Sequence, residues 1–456
     1  MRDARTVAAR VLVRVWQRGA FAAAALDAEL LRHPELGERE ARLCTELCYG
    51  VLRTGPELER RLDAYAPRQG WKRQPLVRAA LLVAAYSLCF LDRVPSFAAV
   101  SAAVDAVARN ADRRAAGFAN AVLRRLAAEL ERAGRPALEA AALASVPAWL
   151  RDRIDASVGP EHTAALLRAS GAPPLCLCLR RGEDREAWTQ RLRSAAVRAR
   201  VEPGALSPRC IVLRAAGDPR RLPGAGEAWT VQEQGAQLVA LALGARPGES
   251  VLDACAGRGG KALLLAEEVG PQGAVDAADL YPAKLRRLRE AAGRGGVRHC
   301  HAVDWTRAAG RVPDGYDRAL VDAPCSGTGT LGRRPEIAGR LRPEDPARLA
   351  ELQIAIVRAV ASRVRDGGRL VYAVCSVLRE EAEDVVEALQ RPAPAALQLA
   401  PFDAEPVRTL AGDAPTLRLL PSEHGTDGYF LASFAVRRGA TSCTTYSRTA
   451  GCSRSS

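Results

Sequence analysis

The chain has 456 residues, 66 Lys+Arg against 52 Asp+Glu for a formal charge of +14, and 48% apolar residues. That length spans two to four domains with ordinary cores, and the composition excludes a collagen-like, low-complexity or wholly disordered chain. The longest mostly apolar run, Ala79–Leu91, falls short of the roughly 20 residues a bilayer needs.

The N-terminus is charged every few residues and lacks the continuous apolar block of a secretory signal, so a cytoplasmic protein without a membrane segment is expected. Only Lys72, Lys261 and Lys284 are lysines, so Arg abundance is in part a compositional bias. The excess of positive over negative charge survives that correction and favours a polyanionic partner.

In chain order, residues 1–137 read as a helical bundle. Val7, Val11 and Val15, then Leu43 and Leu47, then Leu123, Leu126 and Leu130 recur at helical spacing. His33-Pro34, Thr54-Gly55-Pro56 and Val94-Pro95 read as breaks between six or seven short helices. Up to Leu130 this segment carries 21 basic and 14 acidic residues, a net of +7 and half of the whole excess.

Residues 145–225 change texture. A short helix opens at Ala148, Leu175–Arg180 alternates as a strand, Glu183–Ala196 is helical and Cys210–Leu213 is a second strand, which together make a small α+β, ferredoxin-like or RRM-like module. Residues 226–437 alternate strands and helices: Ser250–Ala254, Ala262–Val269, Gly273–Ala278, Pro282–Ala292, Arg298–Val303, Arg318–Asp322, Pro346–Val364, Arg369–Val374 and Glu380–Leu389. Such alternation predicts parallel strands with crossover helices, a doubly wound Rossmann-like α/β domain. The stretch 438–456 is Ser/Thr-rich and aperiodic, the composition of a disordered tail. A monomer is expected.

The first α/β strand runs into Ala254-Cys255-Ala256-Gly257-Arg258-Gly259-Gly260-Lys261, and a helix follows. Three glycines at a strand-to-helix turn let a ligand approach backbone amides at a helix N-terminus. A phosphate-binding P-loop fails here, because Cys255 stands where it needs Gly and Ala262 where it needs Ser or Thr. Asp279 ends the second strand, where an acid accepts from ribose hydroxyls, and Asp304 ends the third, within reach of an adenine edge. With Asp322, these residues form the expected adenosine-cofactor set.

The twelve cysteines contain no Cys-x-x-Cys, and the five histidines lack finger-like spacing. His299-Cys300-His301 lies on a strand, and no metal is expected there. Cys325, in Asp322-Ala323-Pro324-Cys325-Ser326-Gly327-Thr328-Gly329, and Cys375, in Val374-Cys375-Ser376, stand apart from the others. Both sit at carboxyl ends of strands that the topology makes neighbours, beside the Asp322 carboxylate.

These paired cysteine motifs resemble the RNA (cytosine-C5) methyltransferase family, and the 255–261 loop resembles its Ala-Ala-Pro-Gly-Gly-Lys cofactor motif. Cys48-Tyr49-Gly50-Val51-Leu52-Arg53 and Gly117-Phe118-Ala119-Asn120-Ala121-Val122-Leu123-Arg124 resemble the NusB antitermination-factor domain. Gly425-Thr426-Asp427-Gly428-Tyr429-Phe430 is similar to the C-terminal strand motif of bacterial 16S rRNA methyltransferases of the RsmB/Sun type, which share this domain order.

The resemblance implies S-adenosylmethionine as cofactor and 16S rRNA, in an unassembled or partly assembled small subunit, as partner. It implies that Cys375 adds to cytosine C6, that Asp322 holds the N3/N4 edge and that Cys325 assists product release. A tRNA cytosine in the same chemistry and a non-catalytic RNA-binding or assembly factor are the alternatives. DNA cytosine methyltransferases use the Pro-Cys of the fourth strand as nucleophile, and the second Cys argues for RNA. Amino-methylating relatives carry Asn/Asp-Pro-Pro-Tyr/Phe there and offer no thiol.

Three positions depart from the family pattern: Arg258 replaces the loop proline and is expected to loosen the backbone, Gly332 replaces a basic residue, and Ala338-Gly339 lacks an aromatic. Arg180-Arg181, Arg333-Arg334, Arg340 and Arg342 are candidates for phosphate contacts.

Overall fold

A computed structural model of the chain describes residues 3–438, except 67–68, 93, 168–172, 197, 216, 294–295, 308–309, 311 and 392–394. The segment 439–456, read above as a disordered tail, lies outside the described residues, whereas Arg438 is the last residue of a strand.

The helical bundle comprises α1 (Ala4–Arg18), α2 (Ala22–Arg32), α3 (Glu38–Asp63), α4 (Pro75–Phe90), α5 (Ser96–Asn110) and α6 (Arg113–Ala133). Asp3 caps α1 through the Thr6 amide at 2.8 Å, and Asp112 caps α6 through that of Ala115 at 2.7 Å. The periodic residues Val7, Val11, Val15, Leu47, Leu123, Leu126 and Leu130 are all buried in one core. The apolar run at 79–91 forms most of α4, whose buried residues lie on every face, as the central helix of a bundle requires. No helix among the described residues is long and apolar enough to cross a membrane.

One expected break is absent. α3 runs straight through Thr54-Gly55-Pro56 as a single 26-residue helix. A proline there deprives the helix of one amide and strains the turn before it. Within the helix Thr54 Oγ1 donates to the Gly50 carbonyl at 2.8 Å, and one tertiary partner, Ser145 Oγ, takes the Glu57 amide at 3.2 Å.

Three linking helices follow: α7 (Leu138–Ala144), α8 (Ala148–Val158) and α9 (Pro160–Leu167). Leu150, Ile154, Leu166 and Leu167 pack against Leu331, Ile337, Val377 and Leu378 of the large α/β domain. The first helices of 145–225, α8 and α9, therefore belong to that interface rather than to the small sheet.

The small sheet is β1 (Leu175–Leu179), β2 (Arg200–Pro203), β3 (Cys210–Arg214) and β4 (Trp229–Val231), ordered β2-β3-β1-β4 and antiparallel throughout, with α10 (Arg185–Ala195) after β1. This is the split βαβ order of a ferredoxin-like module, with its second helix reduced to a single 3-10 turn at Pro219–Arg221. Its last strand lies beyond residue 225: Trp229 pairs with Leu179, so the sheet reaches into the segment assigned above to the α/β domain.

That domain contains α11 (Gln234–Leu241), β5 (Ser250–Asp253), α12 (Gly260–Val269), β6 (Ala274–Asp279), α13 (Pro282–Ala292), β7 (Val297–Ala302), β8 (Tyr316–Asp322), α14 (Asp345–Ala361), β9 (Val364–Val374), α15 (Glu383–Leu389), β10 (Ala395–Leu399), β11 (Thr416–Leu419) and β12 (Tyr429–Arg438). The sheet order is β10-β12-β9-β8-β5-β6-β7, with β11 beside β12. β5 to β9 are parallel, as expected, but β12 pairs antiparallel with β9, β10 and β11, so the sheet is mixed. Val364, expected to end a helix, opens β9 instead. Strand order reverses between β5 and β8, and the crevice at their carboxyl ends is where such sheets bind ligands.

Candidate functional site

At this reversal the loop after β5 turns back on itself. Gly257 and Gly259 adopt φ of +58° and +91°, which side-chain-bearing residues rarely tolerate. The Ala256 amide donates to Ala278 O at 2.8 Å, the Gly259 amide to Ala256 O at 2.8 Å, and the Gly257 amide to Asp279 Oδ2 at 3.0 Å. The loop is thus tied at three points even with the exposed Arg258 in place of a proline.

Asp279, nearly buried, also accepts from the Tyr281 amide at 2.8 Å and faces Lys284 at 3.4 Å. The Val303 amide donates to Asp279 O at 3.1 Å, which brings the end of β7 alongside. Asp304, next in the chain, accepts from the Thr306 amide and hydroxyl at 3.1 and 2.7 Å, bonds that lower its carboxyl below the ordinary range. Leu280 and Tyr281 are more than half exposed beside the glycine loop, with the Lys284 ammonium 4.5 Å from the centre of the Tyr281 ring.

Lys261, the second residue of α12, donates to Asp322 Oδ2 at 2.7 Å. Burial pulls its ammonium down, but the Asp322 carboxylate, with Asp253 behind it, outweighs burial and holds it above its usual value. Asp253, the last residue of β5, was not singled out from the sequence. It is fully buried, and neither carboxylate oxygen has a partner in full hydrogen-bonding geometry, although Lys261 and the Cys255 amide lie close. Burial pushes its carboxyl up to about 7 against the pull of Lys261.

The orphaned carboxylate and the glycine cradle fit an adenosylated cofactor with a cationic end. Residues Ala254 to Lys261 and Asp279 would hold the nucleoside, and Asp253 and Asp322 would face the cationic end.

Asp253 makes a stability prediction. The folded protein holds this proton to about pH 7, whereas an unfolded carboxyl loses it near ~4. Between those values the folded state binds more protons, so stability falls as pH rises through the window. Asp253→Asn should flatten the dependence of Tm on pH between about 4 and 7 and exceed wild type at pH 8 by on the order of a few kcal/mol. Parallel Tm curves for the two proteins would refute the assignment.

The second half of the site is built on β8 and β9. Asp322 pairs with Ala373 in the ladder, and the Ala323 amide donates to Ala373 O at 2.9 Å. The two following turns then carry Cys325 and Cys375, 50 residues apart in sequence, to an Sγ–Sγ distance of 3.4 Å. The bond to Cys375 and burial push the Cys325 thiol well above the ordinary cysteine range, so Cys325 retains its proton.

The Gly329 amide donates to Cys375 O at 3.0 Å, and the Gly428 amide to Gly329 O at 2.8 Å. A Cβ on Gly329 would lie 2.1 Å from Gly428 O, so the Thr-Gly and Asp-Gly motifs meet backbone to backbone and admit no side chain.

The arginines expected to bind phosphate are mostly committed elsewhere. Arg333 donates to Pro174 O at 2.7 Å and pairs with Asp427 at 2.9 Å, joining small sheet, cysteine loop and C-terminal strand. Arg180 pairs with Glu267 at 2.9 Å, and Arg181 donates to the Glu267 and Glu268 carbonyls. Arg340 caps the end of α1 through the Val15, Gly19 and Ala20 carbonyls. From the same loop Glu336 accepts the Ala22 amide at the start of α2, and Arg334 lies 5.4 Å from the exposed Phe21 ring. The segment after the Pro-Cys motif is therefore a dock for the helical domain. Of the six candidates Arg334 and Arg342 are exposed and make neither an ion pair nor a side-chain hydrogen bond among the described residues.

His299 and His301 flank the buried Asp276, with ligand atoms within 4.8 Å of one another. Arg298, at 3.3 Å from both of its oxygens, and the Tyr316 hydroxyl at 2.6 Å already satisfy that carboxylate. Among the described cysteines none is in a disulfide.

Comparison with known proteins agrees with this architecture. Residues 240–435 match the family model "16S rRNA methyltransferase RsmB/F", and residues 2–128 match the NusB family model. A probable ribosomal RNA small subunit methyltransferase B of Bacillus subtilis is 32% identical over 447 residues, covering 94% of this chain and 98% of its own. The ribosomal RNA small subunit methyltransferase B of Xylella fastidiosa is 37% identical over 434 residues, covering 93% and 98%. Among solved structures, PH0851 superposes with a TM-score of 0.80 at 21% identity over 95% of this chain and 99% of that one, a likeness of fold. With near-complete coverage by relatives of this identity, the chain belongs to the RsmB family of ribosomal RNA small subunit methyltransferases with an N-terminal NusB domain.

Proposed function

We propose that the chain methylates C5 of a cytosine in 16S rRNA, in a small subunit not yet fully assembled, using S-adenosylmethionine and a covalent adduct through Cys375. The observation that carries the reading is the pair of sulfurs 3.4 Å apart at the ends of adjacent strands, beside the Lys261–Asp322 pair. The relatives' ribosomal RNA names support the substrate class.

Cytosine C5 is a poor nucleophile. The Cys375 thiolate forms a bond to C6, the ring becomes an enamine, and C5 gains nucleophilic character. Asp322 accepts from the cytosine N4/N3 edge and stabilises the protonated ring, while Lys261 keeps that carboxylate oriented. S-adenosylmethionine, when bound, supplies an electrophilic methyl group on a sulfonium.

Product release requires the C5 proton to leave and the C6–S bond to break, returning its electron pair to Cys375. Cys325 fits the first task through its coupling to Cys375. The largest influence holding its thiol high is the neighbouring sulfur. Once that sulfur is bonded to C6 it is neutral, so Cys325 gives up its own proton to solvent more readily and the resulting thiolate accepts the C5 proton. The target base must be unstacked to reach this crevice, which costs a few kcal/mol unless it lies in a loop.

The decisive experiment is mass spectrometry of rRNA from a strain lacking the gene, with and without complementation. Loss of 5-methylcytosine at one 16S position, restored by the gene, is expected. Unchanged 5-methylcytosine at every position would refute the reading.

A further inference from the structure

Beneath the two sulfurs lies a carboxylate that the chemistry above leaves unused. Glu381 is fully buried, and no cation pairs with it among the described residues. Its Oε1 accepts from the Ser326 amide at 2.8 Å and from Gln353 Nε2 at 3.0 Å. Its Oε2 accepts from Ser376 Oγ at 2.7 Å and from Ser326 Oγ. Ser326 follows Cys325 and Ser376 follows Cys375, so one carboxylate bridges both cysteine turns.

The surrounding bonds close the arrangement. Thr328 Oγ1 lies 3.0 Å from Ser376 Oγ and accepts the Val377 amide at 3.1 Å. Gln353 Nε2 also donates to Pro324 O at 3.0 Å, and the Tyr372 hydroxyl reaches Gln353 Oε1 at 2.8 Å and Glu381 O at 2.6 Å. Thr328, Gln353, Tyr372, Ser376 and Glu381 are all fully buried, so no water competes for these bonds.

We propose that Glu381 is a positioning residue of the methyl transfer: by tying together the serines that follow Cys325 and Cys375, it fixes the separation of the two sulfurs. The inference rests on the two-cysteine reading for its consequence in catalysis, although the spacing itself is a property of the protein alone. Burial drives this carboxyl upward in pKa, and four donors pull against it. A residue needed only to fill space here would avoid that desolvation. Glu381 also adds to the influences that keep the Cys325 proton in place.

The test uses the full-length protein and dibromobimane, which fluoresces strongly when two thiols displace both bromines. Cys375→Ser supplies the background from other cysteines. Wild type should bridge Cys325 to Cys375, Glu381→Ala should lose the bridge, and Glu381→Gln, which keeps length and an acceptor for the Ser326 amide, should restore it.

Single-turnover methyl transfer should fall about 100-fold in Glu381→Ala, because an ångström of misplacement costs on that order. The KM values for RNA and cofactor should stay within about threefold of wild type. Bridging at the wild-type rate by folded Glu381→Ala overturns the proposal. If Glu381→Ala does not fold, Glu381→Gln decides: loss of the bridge at unchanged Tm overturns it, and retention with near-normal transfer supports it. Normal bridging in a wild-type enzyme that methylates no rRNA cytosine would refute the cytosine reading while leaving the clamp intact.

Discussion

Cys375→Ala is expected to abolish methyl transfer and to form no covalent complex with RNA, whereas Cys325→Ala should trap a protein–RNA adduct that survives denaturation. The two thiols are 3.4 Å apart and share one pocket, so position alone does not separate their roles. The separation comes from the order of bond changes. Without Cys375 no C6 adduct forms, and the rate should fall on the order of 10^4-fold or more, as when a nucleophile is removed elsewhere. Without Cys325 the adduct forms and the methyl group transfers, but the C5 proton has no nearby acceptor and the C6–S bond persists. Denaturing electrophoresis after incubation with labelled RNA and S-adenosylmethionine reads both outcomes. An adduct in Cys375→Ala and none in Cys325→Ala would mean that the roles are exchanged. Adducts in neither variant nor wild type would remove covalent catalysis altogether.

The cysteine pair was legible in the sequence because each thiol sits in a distinctive turn at the end of an apolar strand, and strand alternation predicts their adjacency. Glu381 was not. Its meaning lies in Ser326, 55 residues away, and nothing local distinguishes it from the half-buried Glu380 beside it. Asp253 was visible as the end of a strand, but its isolation from hydrogen-bond partners is a tertiary fact.

Arg333 was misread as a phosphate contact because a buried arginine and a solvated one look alike in a chain that uses Arg throughout. Pro56 misled for the opposite reason: a local rule was correct about the cost and silent about Ser145, which lies 88 residues beyond Glu57 and takes its amide. β10 and β11 are short, and the helix between them, Val407–Ala411, is only five residues long, so the βα rhythm gave no signal for them.

Arg333 yields the second large effect. Its guanidinium is largely buried and pairs with Asp427 at 2.9 Å while donating to Pro174 O at 2.7 Å. Burial pushes Asp427 up to about 7 even with Arg333 pulling it down. Arg333→Ala removes that pair and leaves a largely buried carboxyl pulled down only by Arg334; left ionised and unpaired such a group costs about 3–5 kcal/mol, and keeping the proton costs less. The pH sets how much of this appears. Below about 6 Asp427 is protonated in both proteins, so the variant loses chiefly the bonds to Pro174 O and Asp427. Above 7 the wild-type carboxylate ionises against its arginine, whereas the variant must keep the proton or bear the unpaired charge.

The Tm deficit of Arg333→Ala should therefore widen as pH rises from 6 to 8. Adding Asp427→Asn should recover most of the widening and little of the deficit at pH 6, giving a measurable coupling energy. A deficit independent of pH would place the stabilisation in the Pro174 bond instead. Activity should fall with it, because Asp427 precedes the Gly428 backbone that meets Gly329 across the cysteine turns. Docking of the small sheet, the cysteine loop and the C-terminal strand converges on this one guanidinium.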